Sequence, residues 1–184
     1  MLSNIYEQLS ETEYLTLNSH LIYGEIEDSN VEKACQWIIE ANLENKHPNL
    51  HLIINSVGGS LTSAWSLIDF ISTSRIPIST YGLGQSASAG LLLLMSGKRG
   101  CRYASENLSL MSHQFAGGMD DTYHNINSMQ IEFKNTHERY LNHYIKCTGL
   151  TKKTVENKLL SPTNTWLTAD EALKYNLIDG IFTV

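Results

Sequence analysis

The chain has 184 residues, 42% of them hydrophobic and 17% charged, enough for one domain spanning 1–184 with a sizeable core. Nineteen acidic against thirteen basic residues give a formal charge of -6, and no Lys/Arg run occurs, which argues against a nucleic-acid surface. Three widely spaced cysteines, Cys35, Cys101 and Cys147, define no metal or disulfide framework and read as free thiols in a reducing cytosol. Residues 1–10 are polar and lack the apolar core of a targeting peptide, and the longest apolar run, 89–95, is too short to span a bilayer.

In chain order, residues 4–9 read as a short helix and residues 15–26 as extended. Residues 30–42 carry helical spacing through Val31, Ala34, Cys35, Ile38 and Ile39. Residues 50–54 form a short apolar strand, stopped by Asn55 and the pair Gly58-Gly59. A helix over 60–73 presents Leu61, Ala64, Trp65, Leu67, Ile68 and Ile71 on its apolar face. A strand over 78–83 precedes a helix opening at Ser88, and residues 102–104 and 108–111 read as strands. A long helix covers 123–146, with Ile126, Met129, Phe133, Tyr140, Leu141 and Tyr144 among its apolar positions. Its apolar area exceeds what a solvated projection tolerates, so burial against another subunit is expected. A shorter helix covers 151–160. Thr168 and Glu171 have the spacing of a capping box at a further helix start, and the chain ends with the apolar run 177–181. Strands alternating with helices imply an α/β domain without repeats or linkers.

Gly84-Gln85-Ser86-Ala87-Ser88-Ala89-Gly90 opens the most apolar helix. Small neighbours let a substrate carbonyl approach a serine hydroxyl, and the helix start offers free N–H groups to an oxyanion. Ser88 is the candidate nucleophile; Ser86 competes, and small residues for helix packing are the alternative account of both. His113 ends an apolar strand before the loop 114–118, a position suited to a general base, although a hydrogen-bonded structural histidine fits it too. His124, His137 and His143 fall inside the long helix and read as surface or interface residues. Gly58-Gly59 lies between a strand and a helix and suits either oxyanion donation or a tight turn. It lacks the third glycine and the Lys-Ser/Thr ending of a phosphate loop.

These segments resemble the proteolytic subunits of the Clp protease, the ClpP family, over almost the whole chain. Residues 54–60, Ile-Asn-Ser-Val-Gly-Gly-Ser, are similar to the family's Ile-Asn-Ser-Pro-Gly-Gly, with Val57 in place of Pro. Residues 84–90 resemble Gly-Gln-Ala-Ala-Ser-Met-Gly, which puts the nucleophile on Ser88 rather than Ser86. Residues 111–118, Met-Ser-His-Gln-Phe-Ala-Gly-Gly, resemble Met-Ile-His-Gln-Pro-Leu-Gly-Gly, which makes His113 the base. The resemblance implies a ClpP/crotonase-type α/β spiral of βαβ units, with a projecting handle over about 115–147. It implies Gly59 and Ala89 as oxyanion donors. It also implies a peptide laid along Gly58, Ser60, Leu61, Thr62, Gln114, Phe115 and Ala116. The activity implied is serine endopeptidase cleavage inside a chamber of paired heptameric rings, without metal or cofactor. Unfolded chains would be fed by a Clp-family AAA+ ATPase, with related ClpP or ClpR subunits as further partners. The location would be the cytoplasm, an organelle stroma or, for a viral chain, the host cytoplasm.

Four departures qualify the likeness. The position of the triad Asp holds Asn164, whose carbonyl oxygen can orient His113 but cannot balance an imidazolium charge; an Asp-to-Asn change cost about 10⁴ in one serine protease. Thr163 stands where an Arg commonly links the two rings. The chain begins close to the family's first helix, so the axial loops are expected to be reduced. Positions of the family's ATPase-docking pocket carry His51, Ile53 and Thr73, although Tyr103 is kept. Two rival functions follow: a weak or silent structural subunit of a mixed ring, and a crotonase-type acyl-CoA enzyme, which also uses backbone oxyanion donors.

Overall fold

The computed structural model describes residues 18–183. The expected helix over 4–9 and the start of the expected 15–26 strand lie outside the described residues. The elements are β1 (Ser19–Ile26), α1 (Asp28–Glu44), β2 (Leu50–Gly59), α2 (Leu61–Thr73), β3 (Ile78–Ala87), α3 (Ala89–Met95), β4 (Arg102–Ser105), β5 (Ser109–Ser112), α4 (Tyr123–Thr148), α5 (Lys152–Lys158), β6 (Thr165–Leu167), α6 (Ala169–Lys174) and β7 (Gly180–Phe182). The alternation of strands and helices yields the expected α/β fold. Strands β1, β2, β3, β4 and β7 lie side by side in parallel.

The sheet forks at β3. Its first half, Thr80 to Gly82, pairs with β4, and its second half, Gln85 to Ala87, pairs with β5. β6 then runs antiparallel to β5. The fork exists because β2 and β3 are longer than the sequence pattern suggests. Both were expected to stop near residue 54 or 83, yet they reach Gly59 and Ala87. The ladder continues through register shifts after Ile54 in β2 and after Tyr23 in β1. At the first shift, Asn55 Oδ1 accepts the Gln85 N–H at 3.2 Å, and Gly84, at φ +65°, leaves room for the Asn55 amide. A polar residue and a glycine therefore carry the strands on.

Helix α3 is apolar all round: Leu91, Leu92, Leu93 and Leu94 are fully buried. Such a helix belongs in a core, and it packs on β2 and β3. Helix α4 is the opposite. No residue from 123 to 139 is buried, and only Tyr140, Leu141, Tyr144 and Thr148 root its C-terminal end in the domain. That is the expected projecting handle, two residues longer at its C-terminus than the apolar spacing indicates. The Thr168–Glu171 capping box forms at the start of α6. A partly buried ion pair closes the fold: Arg102 Nε and Nη2 donate to Asp179 at 2.7 and 2.6 Å, while Arg102 Nη1 donates to Cys147 O at 3.0 Å. No helix among the described residues is long and apolar enough to cross a membrane.

Candidate active site

Ser88 is the single residue between β3 and α3, with φ 54° and ψ -122°. A non-glycine residue held in that conformation is strained, and strain persists only where the surroundings enforce it. Two contacts do so. The Ser88 N–H donates to Met111 O at 2.9 Å, which fastens the corner to β5. From the other side Gly58, at φ +101°, closes against it: a Cβ there would sit 2.7 Å from Ser88 Cβ and 2.9 Å from Ala87 O. Gly58 is thus required both for its backbone angle and for the closeness of β2 to the corner. Ser56 Oγ holds this turn by accepting the Gly58 N–H at 3.1 Å. The competing Ser86 is fully buried, and its hydroxyl has no hydrogen-bond partner among the described residues.

His113 follows the last residue of β5. Its Nε2 lies 2.6 Å from Ser88 Oγ. For Nε2 to accept the serine proton, the other ring nitrogen, Nδ1, must carry hydrogen. Partial burial pushes the His113 pKa below its usual 6.5, which keeps the imidazole neutral and able to accept a proton near neutral pH.

Asn164 is exposed and makes no hydrogen bond to His113 among the described residues. Its place directly before β6 is nevertheless informative. The antiparallel partners are Leu110 with Leu167, Met111 with Trp166, and Ser112 with Thr165. Carried one step past the ends of both strands, that register sets His113 opposite Asn164. Directly opposed residues of an antiparallel pair present their side chains on one face.

The expected peptide-contact residues divide. Leu61, Thr62, Phe115 and Ala116 line one cavity of about 210 Å³, together with Trp65 of α2 and Phe133 of α4. Gly58 is buried against Ser88, and Ser60 caps α2, its hydroxyl accepting the Ser63 N–H at 3.2 Å. The Gln114 amide is engaged internally, donating to Leu160 O at 3.0 Å. A larger cavity, about 520 Å³, lies between α2, α3 and α4 and is lined by neither Ser88 nor His113. Neither residue lines the smaller cavity either, but that one gathers four of the expected peptide-contact residues. The residues unforeseen from sequence are Ser56, which left no signal beyond its neighbouring glycines, and Trp65 and Phe133, which looked like helix-face residues only.

The sequence profile of the Clp protease family matches residues 2–184. The chain belongs to the Clp protease family. It is similar to the ATP-dependent Clp protease proteolytic subunit 2 of Corynebacterium efficiens, 30% identical over 98% of this chain and 87% of that protein. It is 28% identical to the protein of the same description from Rhodococcus jostii, over 97% of this chain and 88% of that one. The chain is a Clp-type proteolytic subunit, a peptidase. An apolar row crosses its sheet: Leu21, Ile53, Tyr81 and Tyr103 are register partners on β1, β2, β3 and β4. Tyr81 stacks on Tyr103 with ring centres 5.3 Å apart and meets His51 at 5.5 Å.

Proposed function

We propose that this subunit is a serine endopeptidase in which Ser88 attacks the scissile carbonyl and His113 takes the serine proton, then returns it to the leaving amine. The observation that carries this reading is the 2.6 Å approach of His113 Nε2 to Ser88 Oγ at a strained strand-to-helix corner. The oxyanion would be held by the N–H of Ala89, the first helical residue with no acceptor a turn earlier, and by the N–H of Gly59, one residue after the glycine that touches Ser88. Asn164, set opposite His113 by the extended register, would accept the Nδ1 hydrogen and set the tautomer. The peptide would run as an added strand between the end of β2 and residues 114–117, which form no strand of their own. The cavity walled by Leu61, Trp65, Phe115 and Phe133 would accept one apolar side chain.

The exposed Tyr123, Ile126 and Ile131 of α4 support burial of the handle between subunits. We place the chain in heptameric rings stacked in pairs, fed by a Clp-family ATPase docking on the Leu21–Tyr103 row. Ser88→Ala is expected to abolish hydrolysis of a fluorogenic peptide while particle size by light scattering is unchanged. Parental turnover in Ser88→Ala, together with loss in Ser86→Ala, would reverse the assignment. A monomer at micromolar concentration would remove the ring. The second reading, a silent subunit of a mixed ring, draws on the exposed, uncharged Asn164. A parent protein that neither turns over peptide nor reacts with a fluorophosphonate would establish it.

A further inference from the structure

The two residues that flank His113 are tied to one short segment. Ser112 Oγ donates to Leu159 O at 2.6 Å, and Gln114 Nε2 donates to Leu160 O at 3.0 Å. These are consecutive carbonyls just past the end of α5, where helix geometry leaves acceptors without partners. Ser112 is fully buried. Because a carbonyl only accepts, the Ser112 proton is committed to Leu159. The 2.8 Å contact between Ser112 Oγ and the Tyr144 hydroxyl must then be donated by Tyr144. Tyr144 is itself fully buried at the root of α4. The segment receiving both bonds leads, four residues after Leu160, to Asn164, which the extended register sets opposite His113.

We infer that Ser112 and Gln114 are positioning residues that clamp the His113 backbone to the 159–164 segment, fixing the imidazole between Ser88 and position 164. The inference rests on the Ser88–His113 reading above. It supplies what that reading lacks: a neutral Asn164 offers His113 no charge, so the orientation of the ring is set by anchoring the backbone on both sides of it. Gln114 then acts through an internal bond rather than through the peptide.

The test compares Ser112→Ala, Gln114→Ala and the double variant with the parent and with Thr80→Val. Thr80→Val removes a buried hydroxyl-to-carbonyl bond, Thr80 to Leu94 O at 2.7 Å, at the far end of β3. Steady-state kinetics on a fluorogenic peptide are measured across pH, with particle size and melting temperature. Each single variant should lower kcat about tenfold and the double variant about 100-fold, with KM held within about twofold, as expected for a misplaced catalytic group. The acid-side midpoint should move up toward 6.5 as the freed imidazole gains water. Thr80→Val should lower the melting temperature while leaving kcat and the midpoint at parental values. Gln114 is exposed, so its variant keeps the test open if Ser112→Ala does not fold. Parental kcat and midpoint in Gln114→Ala overturn the clamp, as does a raised KM at parental kcat, which would make Gln114 a substrate contact. Parental turnover in Ser88→Ala would instead overturn the underlying assignment, whatever the clamp variants do.

Discussion

The two halves of the site are held by different physics. The Ser88 half is steric: β2, β3 and α3 converge on a corner where Gly58 leaves no room for a methyl group and four buried leucines follow. The His113 half is polar. Its strand β5 has four residues, its partner β6 has three, and its neighbours are fixed by hydrogen bonds to loop carbonyls. Close packing resists displacement over its whole contact area, whereas a hydrogen bond contributes about 1 kcal/mol and can be exchanged for water. The proposed nucleophile, Ser88, is therefore built in, and the proposed base, His113, is the adjustable part.

This contrast can be broken most severely at the proposed base. His113→Ala should cost about 10⁴-fold or more in kcat, since removing either member of a nucleophile–base pair disables both. Intact assembly with parental turnover would show that Ser88 is activated by another group. On the steric half, Gly58→Ala forces a side chain into φ +101° and against Ser88. About 100-fold loss of kcat is expected, with a lowered melting temperature. An unchanged enzyme would mean that the corner is looser than its geometry.

Smaller effects should come from the third position. Asn164→Asp is expected to raise kcat roughly tenfold, well short of the ~10⁴ that a built triad draws from its carboxylate, because the side chain must first close on His113. Asn164→Ala should lower kcat about fivefold, the worth of one hydrogen bond. Equal rates in all three would leave a Ser88–His113 dyad. The smallest effect is that of pH. Burial lowers the His113 pKa, so the fraction of neutral imidazole, and with it the rate, should fall only below pH 6.5. A second histidine sets a limit to the measurement: burial at the root of α4 lowers the His143 pKa to about 4. Between 6.5 and 4 the unfolded chain binds a proton there that the folded chain does not, so stability drops as pH falls through that window. Melting curves at each pH separate the two, and a rate midpoint at or above 6.5 would contradict the burial of His113.

The sequence exposed the steric half better than the polar one. Gly58-Gly59, the small residues around Ser88 and the four leucines are local signals, and each states its own constraint. The helices were legible through their apolar spacing, and the α6 cap through Thr168 and Glu171. The extension of β2 and β3 was hidden because Asn55 and Gly84, which end strands on their own, here interlock across two strands. β6 is three residues long and has no periodicity to read. The pairing of Ser112 with Thr165, and the bonds from Ser112 and Gln114 to Leu159 and Leu160, join residues some 46 to 53 positions apart in the chain. No spacing rule reaches that far.

The identity and activation of the proposed nucleophile are the points on which the serine-peptidase reading turns. Labelling the assembled protein with a fluorophosphonate and locating the adduct by peptide mass spectrometry tests both. One adduct per subunit is expected, on Ser88, absent from Ser88→Ala and formed far more slowly in His113→Ala. An adduct on Ser86 or elsewhere, or labelling of Ser88 at the parental rate without His113, would contradict it.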